Sequence, residues 1–223
     1  EDSDVYSMGI HGTADVLAFQ NEAGGLPTRN WESGAFEGYE ALAGETMTDT
    51  ILKERDTCYA CVVRCKRVVE TEWQDNKVDP HYGGPEYETL ATFGSYCGVN
   101  DLAAVSFANQ LCNMYGMDTI SCGATVAFAM DCFEQGLITE EDTNGIELRF
   151  GNAEALVQMV QLIGEREGLG QVLGEGSARA AETLGLDFGD LAMGDCDSAV
   201  APIDLGSYSS RVTLMAGNAV KMA

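Results

Sequence analysis

Positive charge is scarce in this chain: 223 residues carry 12 lysines and arginines against 36 aspartates and glutamates, a formal net charge of -24. A surface of that sign repels phosphates, so neither nucleic acid nor an anionic membrane is an expected partner. Histidine is rarer still, and His11 and His81 stand too far apart to form a short metal motif. No apolar stretch reaches the roughly 18 to 20 uncharged residues that span a bilayer. The opening EDSDVYSMGIHG lacks the basic start and apolar run of a secretory leader. A cytoplasmic, reducing setting is therefore expected, in which clustered cysteines bind metal more readily than they form disulfides. An acidic excess with only four lysines also suits concentrated salt, where the Debye length shrinks to roughly 3 Å at 1 M.

What is present suffices for a large core, since 45% of the residues are hydrophobic. The length fits one large domain, or one domain with part of a second. DLAAVSFANQLCNMYG places Leu102, Val105, Ala108, Leu111, Cys112 and Tyr115 at helical spacing, with Asn100 or Asp101 as cap and Gly116 as stop. DTISCGATVAFAMDCFEQGLIT reads as a buried helix ending at Gly136 and packed against its predecessor. In NAEALVQMVQLIGEREG, Asn152 caps a helix with Leu156, Met159, Val160 and Ile163 on one face. A weaker pattern continues through GQVLGEGSARAAETLG, and TADVLAFQNEAGG and GYEALAGETMTDTILKER also read as helices around a Gly/Pro/Asn loop. The expected architecture is all-α and multihelical over residues 1–189. The segment 190–223 loses helical periodicity and reads as a divergent tail.

One short stretch opposes the trend of the chain. CYACVVRCK sets Cys58, Cys61 and Cys65 in a C-x2-C-x3-C array, and five of the twelve basic residues (Lys53, Arg55, Arg64, Lys66 and Arg67) fall around it. Three thiolates do not complete a tetrahedral site, so a fourth ligand must come from elsewhere: Cys97, Cys112, Cys122, Cys132, Cys196 or a residue outside this chain. Structural zinc commonly uses two C-x2-C pairs, whereas three close cysteines and a remote one suit a 4Fe-4S cube; zinc and unligated thiols remain alternatives. Nearby cations favour the cluster, whose negative charge they offset, although they could equally pair with acidic neighbours.

CYACVVRC, followed by GGPEYETLATFGSYCGVNDL and NMYGMDTISCG and preceded by NEAGGLPTRNWESGAFEG, resembles the aldehyde ferredoxin oxidoreductase family of tungsten enzymes over roughly residues 10 to 190. The resemblance implies that Cys58, Cys61 and Cys65 are three ligands of a 4Fe-4S cluster whose fourth cysteine lies downstream of the matched segments. It also implies a tungstopterin (or molybdopterin) held by a D-x-x-G-L-D type motif, matched here by NMYGMD, with Asn113 in place of the first Asp and Met117 in place of Leu. Gly116 would admit close backbone approach and the Asp118 carboxylate would accept pterin N–H groups, while the same hexapeptide can serve as a plain helix stop and cap. In GGPEYET, Glu86 and Glu88 are expected on one side of an extended segment after Pro85. Glu88 matches the family's glutamate near tungsten, a proton-handling role, with Glu86 as the second candidate. The family's E-x-x-H iron motif has no counterpart in SFANQ.

The implied activity is oxidation of a small aldehyde to a carboxylic acid, with electrons leaving through the cluster to ferredoxin. The family's N-terminal β domain and C-terminal helical region are not recognisable here, so this chain by itself is expected to be inactive. An iron-sulfur electron-transfer or structural module without pterin is the alternative, and a homo-oligomer is compatible with either.

Overall fold

Asp101 starts one of the long helices by accepting the Ala103 and Ala104 N–H groups, each at 3.0 Å. A computed structural model describes residues 4–185 of the chain, and the expected tail 190–223 lies outside the described residues. The helix that Asp101 caps, α5 in chain order (Leu102–Tyr115), ends where Gly116 turns left-handed at φ 71°. Asp118 then accepts the Ser121 N–H at 2.7 Å and opens α6 (Thr119–Glu134). Asn152 does the same for α7 (Ala153–Glu165), whose Leu156, Met159, Val160 and Ile163 are all buried. Side-chain oxygens at these three starts satisfy N–H groups that the first helical turn leaves unpaired, which is why the helix starts follow the sequence so closely.

Shorter helices fill both ends: α1 (Asp4–His11), α2 (Val16–Glu22), α3 (Gly44–Thr50) and α4 (Tyr87–Phe93) before α5, and α8 (Leu169–Leu173) and α9 (Ser177–Thr183) after α7. The fold is not purely α. Two antiparallel hairpins interrupt the helices: β1 (Leu52–Asp56) with β2 (Lys66–Val69), and β3 (Thr71–Trp73) with β4 (Asn76–Val78). The ILKER segment, expected to finish a helix, is strand instead, because its backbone pairs with Lys66–Val69 from Leu52↔Val69 to Asp56↔Lys66. Tertiary pairing here overrides the helix propensity of Leu, Lys, Glu and Arg. The second hairpin lies on α5, where the Trp73 and Phe107 rings stack 5.8 Å apart and the Gln110 side chain meets Asp79 N and Lys77 O.

The expectation that α6 packs on its immediate predecessor is also corrected. Its main partner is α4, and α5 packs mainly on α7. The reason is local: a Cβ at Gly123 would stand 2.7 Å from the Cβ of Thr92 and 2.9 Å from its carbonyl carbon, so only glycine lets the two backbones approach this closely. The Cys97 thiol lies at the crossing, 3.3 Å from Thr92 O and 3.7 Å from Gly123 O. Gly123→Ala should therefore cost about 1–3 kcal/mol through overpacking. A chemical-denaturation midpoint equal to wild type would contradict this account of the crossing.

The core is continuous, running from Leu17, Leu26, Leu42 and Met47 through Leu90 and Phe93 of α4 to Met130, Leu156 and Met159. The Gly/Pro loop is tied to it, since Arg29 N donates to Ser95 O at 3.0 Å and the Asn30 amide donates to Asp131 at 2.8 Å. No helix among the described residues is long and apolar enough to cross a membrane.

Candidate functional site

The loop 57–65 joins β1 to β2 and carries all three cysteines of the array. Its path is compact: Cys61 N donates to Cys58 O at 3.1 Å, the Thr57 hydroxyl donates to Cys61 O at 2.7 Å, and Ala60 and Arg64 adopt left-handed φ of 55° and 57°. Cys58 is exposed, Cys61 and Cys65 are half-buried, and all three thiols are free. Burial raises the Cys65 pKa, then the Glu86 carboxylate, and more weakly the Cys58 and Cys61 sulfurs. Ionising the three sulfurs beside the carboxylate would set like charges against one another at one point of the surface. A soft cation bound there would remove that repulsion, so the donor set fits a thiolate-ligated metal or cluster. Tyr59 and Val62 project into solvent at the tip, with exposures of 102% and 91%.

Glu86 reaches the loop because Gly83 and Gly84 run alongside β2. A Cβ at Gly84 would meet Val69 Cγ1 at 2.9 Å and Arg67 O at 3.2 Å, and Val69 N donates to Gly83 O. The expected extended segment ends at Glu86, which has φ -82° and ψ 168° and caps α4. Glu88 already lies in the first helical turn, so the two glutamates do not share one side of a strand. The Thr13 hydroxyl donates to Glu86 Oε2 and accepts the Tyr87 N–H at 2.9 Å, which fixes both the carboxylate and the helix start. Glu88 is half-buried, and its backbone carbonyl accepts from the Thr92 hydroxyl at 2.8 Å.

The next turn of α4 leads to the hexapeptide NMYGMD. Thr89 and Thr119 share a hydroxyl hydrogen bond at 2.8 Å, which places the α4 start beside the residue that follows Asp118. Asn113, Gly116 and Asp118 are exposed and Met117 is half-buried. Asn113 donates its amide N–H to Asn109 O at 2.9 Å, which leaves its amide oxygen as the acceptor at the surface. Together with the exposed Asp118 carboxylate this presents acceptors, the complement of a ring rich in N–H groups. A Cβ at Gly116 would touch nothing within 4 Å, so glycine is needed for its left-handed conformation rather than for room. The hexapeptide also serves as helix stop and cap, as the sequence suggested.

The remaining cysteines within the described residues (Cys97, Cys112, Cys122 and Cys132) are buried in the core, and Cys196 lies outside the described residues. Burial, then Asp131, pushes the Cys132 thiol up to about 11, as for a packing thiol with no anionic role. His81 is exposed, and Asp79 accepts its backbone N–H at the short 3-10 turn Pro80–Tyr82. Two groupings escaped the sequence. His11 comes within 4.8 Å of ligand-type atoms of Asp15 and Glu45, a grouping that solvated acidic side chains commonly form. Arg67, which the sequence only groups with its cationic neighbours around the cysteines, is buried at 3% exposure, while Arg64 and Lys66 are exposed.

These features define a multihelical domain with a thiol-bearing hairpin at its edge. The family described as "Aldehyde ferredoxin oxidoreductase, domains 2 & 3" matches residues 1–209. The chain is 40% identical over 188 residues to the "Tungsten-containing aldehyde ferredoxin oxidoreductase" of Pyrococcus horikoshii, covering 80% of this chain and 29% of that protein. It is 41% identical over 179 residues to the protein of the same description from Thermococcus kodakarensis, covering 78% and 28%. A solved structure, the active-site complex BamBC of benzoyl coenzyme A reductase with 1,5-dienoyl-CoA, shares the fold with a TM-score of 0.61 at 22% identity, over 83% of this chain and 26% of that one. The chain belongs to the aldehyde ferredoxin oxidoreductase family, an oxidoreductase family, and spans under a third of the length of these curated relatives.

Proposed function

We propose that this chain supplies the helical, cofactor-contacting part of an enzyme that oxidises small aldehydes to carboxylic acids and passes the electrons to ferredoxin. The observation that carries the reading is the convergence at the start of α4: Glu86 lies close enough to Cys65 to raise its pKa, and Thr89, one turn on, touches Thr119 beside Asp118. In this reading residues 1–189 form the cluster- and pterin-binding unit. Cys58, Cys61 and Cys65 hold three corners of a 4Fe-4S cluster, while Asn113, Gly116, Met117 and Asp118 border a tungstopterin or molybdopterin. When bound, those groups supply the two-electron redox chemistry and the relay of single electrons.

Conversion of an aldehyde and water to an acid releases two protons and two electrons, so carboxylates must handle protons beside the reacting carbon. Glu88 fits that task by its place, half-buried in the first turn of α4 between the cysteine loop and the Thr89–Thr119 contact. Thr13 holds Glu86 by its Oε2, which suits a positioning role better than a mobile one. The exposed cations Lys53, Arg55, Arg64 and Lys66 around the thiol loop form a group of positive charge suited to steering an acidic ferredoxin.

The test is metal analysis of the anaerobically purified protein, with an electron paramagnetic resonance spectrum after reduction. About four irons per chain with a reduced-cluster signal are expected, together with tungsten or molybdenum. Iron without either metal would favour the electron-transfer module, and zinc alone would refute the redox reading.

A further inference from the structure

Arg67 is the only charged residue among the buried ones within the described residues. Its guanidinium is held by backbone carbonyls: Nε donates to Lys66 O at 3.0 Å, one terminal nitrogen to Ile10 O, and the other to Gly9 O at 3.3 Å and to Arg64 O. Carbonyls satisfy N–H groups but leave the positive charge uncompensated, and no carboxylate of the described residues forms an ion pair with it. A buried cation in that state is costly unless an anion is near. Burial and the Arg55 guanidinium lower its pKa, and the opposing anionic influences come from Cys65 and Glu86. Gly12 shows how tightly the two parts are joined, since a Cβ there would lie 2.9 Å from both Arg67 Cγ and Cys65 O.

We infer that Arg67 is the fixed counter-charge of the centre held by Cys58, Cys61 and Cys65, and that it sets the reduction potential of that centre. The inference rests on the cluster reading proposed above. A cluster bound by thiolates is anionic and gains a further negative charge on reduction, so a desolvated cation beside it favours the reduced form. Arg64 and Lys66 are exposed, and solvent and salt screen their contribution. Arg67 is a positioning and electrostatic residue, for its charge acts on the centre while its fork joins α1 to the cysteine loop.

The experiment is potentiometric titration of the iron-loaded protein, wild type against Arg67→Gln, Arg67→Lys, Arg64→Gln and Lys66→Gln, with iron content and circular dichroism as controls. Arg67→Gln is expected to lower the reduced-to-oxidised ratio about tenfold at the wild-type midpoint, equivalent to about 59 mV for a one-electron couple. Arg67→Lys keeps the charge on a shorter stem and should shift in the same direction by less, while the two surface variants stay near wild type. If Arg67→Gln does not fold, Arg67→Met, which also removes the charge while keeping an unbranched stem, decides, and an unchanged or raised potential in that folded variant overturns the inference. Loaded variants with coincident potentials overturn this inference alone; wild-type protein without iron overturns the cluster reading and this inference with it.

Discussion

Cys65→Ser is expected to reduce iron in the purified protein from about four atoms per chain to below one, with the brown colour and the reduced-cluster resonance lost together. The substitution replaces a soft thiolate by a hard hydroxyl of similar size, so it removes a ligand while leaving the packing nearly unchanged. Cys65 is the informative member of the array, because it is half-buried, it begins the return to β2, and it feels Glu86 as well as Cys58 and Cys61. Far-UV circular dichroism should match wild type, since the β1–β2 pairing involves the neighbouring backbone and not the thiol. Cys97→Ser provides the contrast. That thiol is fully buried and donates to Thr92 O, so its loss should lower stability and spare the iron. Full iron in a folded Cys65→Ser protein would eliminate the three-cysteine assignment.

Phe93→Ala should cause the largest loss of stability of any single substitution considered, about 3–5 kcal/mol. Phe93 heads the fully buried side chains by volume and ends α4, the helix whose other end carries Glu86 and Glu88. Its removal opens a cavity in the continuous core, where rigid helices cannot fully collapse. For a chain of this size the melting temperature should fall by about 2–4 °C per kcal/mol. The effect should extend to the site, because α4 links the cysteine loop to the turn before α6. A drop of less than 1 °C would show that α4 is not anchored through this residue.

The long helices were legible because their start signals are short-range. Asp101, Asp118 and Asn152 each bond an N–H two or three residues ahead, and Gly116 and Gly136 supply left-handed stops, so neighbours in sequence decide these ends. The strands were not legible, because five residues such as LKERD have no edge to pair with until the chain returns at Lys66. Period and propensity therefore favoured helix there, and the all-α expectation failed at the hairpin that carries the cysteines. For the same reason the partner of α6 was misjudged: nothing within TISCGATVAF indicates that Thr92 will lie against Gly123.

By itself, the sequence determined the acidic surface, the helix starts, the C-x2-C-x3-C spacing and the resemblance that places the chain in its family, since each is a property of composition or of residues a few positions apart. Only the tertiary structure decided that Glu86 stands beside Cys65, that Thr89 meets Thr119, and that Arg67, among five neighbouring cations, is the buried one. Those facts depend on which carbonyls and side chains the fold brings round a point from residues 9 to 119, and burial of a charge is set by that closure and not by its neighbours in the chain.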